Sequence, residues 1–326
     1  MHTHALRLAP ALLACVALAC GGGAKDKAPE KKAPEVKAPE APKEEPKPEP
    51  KPEPEEITLS DAGFLTPESV LHDVAADLYL VSNIDGDPTE ADGNGFISQV
   101  APDGTVRALK WIDGFNDGVT LNAPKGMAIV GDTLYVADIT HVRAFDRNTG
   151  APQRAIEVKG ASFLNDLAVA PDGSVLVSDS GLKKTDKGLG LGDGQGIYRI
   201  NAEGEVSKVI ANKDLGGPNG LYADVHGVTV VTFGTGEYYQ VAPDGTKGVT
   251  HKLEQGQLDG VVGLAGGKLA ISSWEAKGVY VGTPGGEFTL TLTDLESPAD
   301  IGYDSKRKRV LVPLFTKNTV VIRKLE

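Results

Sequence analysis

Six polar residues head six similar segments of this chain: Glu68, Lys125, Asn165, Asn219, Asp259 and Asp300. Each precedes a short, mostly apolar run, as in Asn165-Asp166-Leu167-Ala168-Val169, and the intervals between them are 57, 40, 54, 40 and 41 residues. Glu, Asn, Asn and Asp supply oxygen donors, of which a hard divalent cation such as calcium gathers roughly six to eight. Two carboxylates and two amide carbonyls, completed by water, make a partial shell with open positions. The set holds no thiolate and no imidazole, which argues against zinc and softer metals. Lys125 brings an ammonium to the same place. It either orients a substrate or takes the cation's position by pairing with Glu68.

Such residues meet only if their segments are arranged around one axis. Each head is followed by a first strand, then by a second such as Val175-Leu176-Val177-Ser178, then by a third such as Ile197-Tyr198-Arg199-Ile200. Tight Pro-Asp-Gly turns begin at Pro102, Pro171 and Pro243, and fourth strands such as Val206-Ser207-Lys208-Val209-Ile210 complete the unit. Short strands rich in Val, Ile, Leu and Tyr, repeating roughly every 40–45 residues in fours, are the signature of propeller blades. No run beyond the N-terminus carries a helical period. The expected fold is therefore all-β, a six-bladed propeller. The sixth unit ends at its third strand, so Glu56-Ile57-Thr58-Leu59-Ser60 is expected to donate the missing one and remove an open sheet edge. Inner strands of a propeller run along the central channel, which would bring the six heads together.

The units Pro67-Glu68-Ser69, Leu164-Asn165-Asp166, Pro218-Asn219-Gly220-Leu221 and Leu258-Asp259-Gly260-Val261 resemble, in this order, the senescence marker protein/gluconolactonase/luciferin-regenerating-enzyme-like group. Relatives of that group include diisopropyl fluorophosphatase and the paraoxonases. The resemblance spans about residues 57–326 and rests on short motifs. It implies one axial calcium or other divalent ion held by Glu68, Asn165, Asn219 and Asp259, and hydrolysis of a lactone or related ester. Asp259 would activate water or attack directly, and Lys125 would add positive charge for the oxyanion. Asp300 stands where some relatives place a histidine at the channel mouth, and Trp274 could line the pocket.

The rest of the chain frames this reading. Residues 1–19 carry Arg7 and an apolar run from Leu8 to Ala19, the length of a signal-peptide core and too short to span a bilayer. Ala17-Leu18-Ala19-Cys20-Gly21 resembles a bacterial lipoprotein cleavage site, with Cys20 as the lipidated residue. Residues 20–56 follow as a Lys/Pro/Glu/Ala tract, expected to be a disordered linker that holds the domain off a membrane. The two cysteines, Cys15 and Cys20, both precede the domain, so 57–326 has no disulfide. That domain carries an excess of acidic over basic residues, within a chain of net charge −12, which disfavours nucleic acid and anionic lipid as partners. The expectation is a monomer in the bacterial cell envelope, touching the membrane through its anchor alone and acting on a small molecule. A non-catalytic propeller that binds a ligand or protein there is the rival reading. Two insertions, 84–95 and 183–196, read as a solvated loop and a flap. Neither fits an EF-hand or a nucleotide-binding glycine motif. Asp138 and Asp179 read as hydrogen-bonding stitches between blades, and the histidines of the domain as surface residues.

Overall fold

In the computed structural model, residues 54–186 and 188–325 are described. The expected leader, the lipidation site Cys20 and nearly all of the linker lie outside them. Six four-stranded antiparallel sheets form the blades. Their inner strands are Pro67–Asp73, Pro124–Val130, Leu164–Val169, Pro218–Asp224, Leu258–Gly263 and Gly302–Asp304. Each inner strand lies beside those of the neighbouring blades, and the first lies beside the sixth, so the ring closes. Glu56–Leu59 pairs with Thr319–Lys324 as the outermost strand of blade six, as expected. On the inner side of the same seam, Asp300 N donates to Glu68 O at 2.9 Å and Val70 N donates to Asp300 O at 3.3 Å.

The two-residue period of a strand divides its side chains between two neighbours. In the second strand of blade three, Val175 and Val177 pack toward blade two while Leu176 packs toward blade four. The same division yields an apolar wedge at each of the six blade junctions. Full burial of one such Val or Leu side chain stabilises by about 1.5–3 kcal/mol. The wedges let a domain without disulfides stand on packing. Gly104, Gly173 and Gly245 end the three Pro-Asp-Gly turns at φ of 89°, 83° and 86°, values that favour glycine.

Blade one's insertion is irregular. Blade three's insertion, read as a flap, is built as a two-stranded hairpin, Leu182–Thr185 with Gly188–Leu191. The insertions meet: Lys184 Nζ lies 3.0 Å from both Asp87 Oδ2 and Glu90 Oε1.

Candidate functional site

In five blades the ladder between inner and second strands slips at one place. Pro67, Pro124, Leu164, Pro218 and Leu258 pair with Asn83, Asp138, Asp179, Thr232 and Ser273, and pairing is irregular just afterwards. The first residues within the slip are Glu68, Lys125, Asn165, Asn219 and Asp259. A bulge releases a side chain from strict alternation and re-aims it. Serines of the second strands hold the bulges of alternate blades. Ser82 Oγ accepts from Ser69 N at 2.9 Å, Ser178 Oγ from Asp166 N at 2.9 Å and Ser272 Oγ from Gly260 N at 2.8 Å. Five expected heads therefore occupy one level, at the same end of the strands around the channel.

The sixth head is corrected. Pro298 pairs with Leu314, which makes Ala299 the equivalent position. The backbone agrees: Ser272 Oγ donates to Ala299 O at 2.8 Å just as Ser178 Oγ donates to Asn219 O at 2.7 Å. Asp300 lies one residue deeper, bridged to Ser69, whose hydroxyl donates to Asp300 Oδ2 at 2.5 Å. Asp166 shares that deeper level, with Oδ1 accepting from Leu167 N and Oδ2 from Leu221 N, each at 2.6 Å. Glycine fills the same level in blades two, four and five because the inner strands crowd there. A Cβ on Gly126 would lie 2.3 Å from Asp166 Oδ1, and one on Gly260 2.8 Å from Asp300 Oδ1.

The upper level has an unusual polar imbalance. Glu68 Oε2, Asn165 Oδ1, Asn219 Oδ1 and Asp259 Oδ1 are all buried without a hydrogen-bond partner. An unpaired buried oxygen costs roughly 1–3 kcal/mol, so four at one level call for a shared electrophile. In two of the four the companion atom is fixed. Asn165 Nδ2 donates to Ser180 Oγ at 3.1 Å, and Ser180 Oγ donates on to Pro218 O at 2.6 Å. Trp274 Nε1 donates to Asp259 Oδ2 at 2.8 Å. Ser180 and Trp274 are equivalent, each following the last residue of its second strand, and both commit the opposite oxygen of the head residue to remain free. Four oxygens, two of them from carboxyl groups, fit a hard cation. No three His, Cys, Asp or Glu side chains among the described residues form a ligand group by themselves, so the two amides are needed to complete the set.

Electrostatics agree with that fit. Burial, then the charges of Asp259 and Asp300, hold Glu68 well above the ordinary carboxylate range, opposed by Lys125. Burial and Asp300 do the same to Asp259, against hydrogen bonds from Trp274 and Asn219. Burial, then Asp300, raises Asp166, and burial pushes Asp300 up to about 7. Of these four carboxyl groups, only Glu68 feels the buried cation of the chain's own, Lys125. Burial lowers Lys125 to about 8, offset by Glu68. Its Nζ donates to Ala123 O at 2.9 Å and Pro88 O at 3.2 Å and sits 4.4 Å from the centre of the Phe163 ring. It forms no salt bridge with Glu68, so the cation's place is not taken by that pair.

Contrary to expectation, Asp138 and Asp179 do not stitch neighbouring blades together but tie down the segment entering their own blade. Asp138 Oδ1 accepts from Asn122 N and Ala123 N, and the Asp179 carboxylate from Ser162 N and Phe163 N. Each thus fixes the segment that enters its blade just ahead of a head residue.

No protein-family model matches the sequence, and no curated protein does. Solved structures do. A gluconolactonase from Xanthomonas campestris superimposes with a TM-score of 0.63 at 20% identity, over 83% of this chain and 89% of that one. Luciferin-regenerating enzyme gives 0.59 at 12% identity, over 83% and 97%. Virginiamycin B lyase from Staphylococcus aureus gives 0.55 at 13% identity, over 83% and 98%. At such identities the likeness is one of fold, and it extends to proteins named for different reactions.

Proposed function

We propose that this chain is a divalent-metal-dependent hydrolase of lactones or related esters, with Glu68, Asn165, Asn219 and Asp259 as the metal's protein ligands and calcium as the ion. The observation that carries the reading is the set of four unpartnered buried oxygens at one level of the channel. The gluconolactonase among the structural neighbours supports the choice of substrate class. A bound ion would polarise the substrate carbonyl and stabilise the oxyanion that develops. The remaining work falls to the chain. Trp274 holds the Asp259 carboxylate by one oxygen, leaving Oδ1 to orient or deprotonate the attacking water. Lys125, fixed by two carbonyls, lends positive charge beside the carbonyl oxygen. Water adds to the carbonyl carbon, the ring C–O bond breaks, and the alkoxide takes up the proton to give a hydroxy acid. We further propose export to a bacterial cell envelope and anchoring through Cys20.

Metal analysis of the purified protein, followed by a lactone panel with and without chelator, tests the reading. One bound divalent ion per chain and chelator-sensitive turnover are expected. A bound ion with no turnover would favour a binding propeller, and Glu68→Gln with full activity would remove the assignment.

A further inference from the structure

The residue after each second strand lies at the end of the blade where the heads sit, as the bonds of Ser180 to Asn165 and of Trp274 to Asp259 show. In blades one to six these residues are Ile84, Ile139, Ser180, Phe233, Trp274 and Phe315. Three consecutive blades thus present aromatic rings there. Trp274 stands between the other two, with ring centres 5.3 Å from Phe233 and 5.3 Å from Phe315, and all three are partly exposed. The only polar group of the trio, Trp274 Nε1, is consumed by Asp259. Neighbouring hydroxyls are consumed as well: Thr235 bonds Thr232 and Glu237, and Ser297 bonds Thr316.

The hairpin of blade three extends this wall. Its pairing puts Leu182 opposite Leu191 and Lys184 opposite Leu189, so these four share one face. Lys184 reaches the blade-one insertion, and Leu191 lies on bare backbone: a Cβ on Gly217 or Gly234 would come within 2.7 or 2.6 Å of it. That face therefore turns toward the propeller, yet Leu189 and Leu191 remain 46% and 45% exposed. Apolar side chains held over a mouth, uncovered, beside an aromatic wall, are a surface waiting for an apolar group.

Resting on the hydrolase reading above, we propose that the substrate is a lactone or ester bearing an apolar alkyl or aryl substituent. That substituent packs on Phe233, Trp274 and Phe315 beneath Leu189 and Leu191. A polyhydroxylated sugar lactone would bring hydroxyls to a wall that offers them no partner.

The test compares γ-lactones of increasing alkyl chain length with D-glucono-1,5-lactone, in the presence of calcium. The ratio kcat/KM should rise about two- to fourfold per added methylene, mainly through KM. Phe233→Ala and, separately, the surface change Leu189→Ser should flatten that dependence. A structural defect would lower all substrates alike. Preference for the sugar lactone with no effect of chain length would overturn the proposal and leave the hydrolase reading intact. If no lactone turns over, the hydrolase reading falls and binding decides the apolar site by itself. In a Trp111→Phe background, the long-chain lactone should then quench Trp274 fluorescence with an affinity that rises with chain length. Quenching that is absent, or indifferent to chain length, overturns the proposal.

Discussion

Trp274 Nε1 donates to Asp259 Oδ2 across 2.8 Å, while Asp259 Oδ1 is left buried and unpartnered. One side chain thus decides which oxygen of a carboxylate is available. Groups that orient a metal ligand in this way typically contribute 10–100-fold to affinity. Trp274→Phe keeps a ring between Phe233 and Phe315 and removes the donor. It should weaken calcium binding by about 10–100-fold, read by calorimetric titration, with little change in the unfolding temperature of the chelated protein. An unchanged affinity would show that Asp259 is not a ligand.

The crowding of Glu68 against Asp259 and Asp300 makes a second prediction. In chelator, Glu68→Gln relieves repulsion among buried carboxylates and should unfold at a higher temperature than the parent. With calcium the order should reverse, since an ion at a thousandfold excess over its Kd stabilises the parent by about 4 kcal/mol and the variant far less. Scanning calorimetry in the two buffers reads the crossing. Parallel shifts in both would refute the shared ion.

Much of this was legible in the sequence. The blade count, the donated strand and five of six heads follow from the spacing of Pro or Leu plus one polar residue ahead of each inner strand. The sixth failed because Ser297-Pro298-Ala299-Asp300 has a small apolar residue at the head, and the adjacent Asp300 has the expected chemistry one position late. Asp166 was hidden by its neighbour, since Asn165-Asp166 reads as turn chemistry. The pairing of Trp274 with Asp259 depends on the register of Leu258 against Ser273, which a pattern of apolar residues does not specify at a bulge. Nothing in the composition of the 183–196 insertion shows which leucines face the mouth.

Lys125 is held by carbonyls rather than by Glu68, and the proposed mechanism has it act on substrate while an ion is bound. Lys125→Met should tighten calcium binding by removing a like charge and should lower kcat by about 10²–10³-fold, the usual effect of losing one oxyanion partner. Looser calcium binding would mean the lysine organises the ring instead of repelling the ion.

The buried carboxylates set the pH response of the chelated protein. Burial pushes Asp300 up to about 7, above its unfolded value near 4. A raised carboxyl favours the folded state fully below the unfolded value, and that contribution fades as pH rises through about 7. Thermal stability in chelator should therefore fall as pH rises from about 4 to about 7, by roughly 5 °C. Lys125 is charged over most of that window in both states and adds little to the slope until pH nears its own value of about 8. Asp300→Asn should flatten the slope; a variant as steep as the parent would remove Asp300 from the account.

The closure of the ring supplies a last prediction, this one about stability. Asp304 of blade six is fully buried and accepts from Tyr79 of blade one at 2.6 Å and from Arg307 Nη1 at 2.8 Å. Arg307 Nη2 continues across the seam to Asp77 at 2.6 Å. Burial alone would raise Asp304, but the hydrogen bonds from Tyr79 and Arg307 outweigh it and hold the carboxyl below its ordinary value. Asp304→Ala strips the central acceptor from a buried charge network and should cost about 3–5 kcal/mol in denaturant unfolding. Lys184→Ala breaks two ion pairs of similar length, but that side chain is 62% exposed, and the loss should stay below about 1 kcal/mol. The contrast isolates burial from geometry: both sites join blades that are distant in sequence, and only the one shielded from water should hold the ring shut. Equal losses at the two sites would place the seam's strength in the backbone pairing of Glu56–Leu59 with Thr319–Lys324 instead.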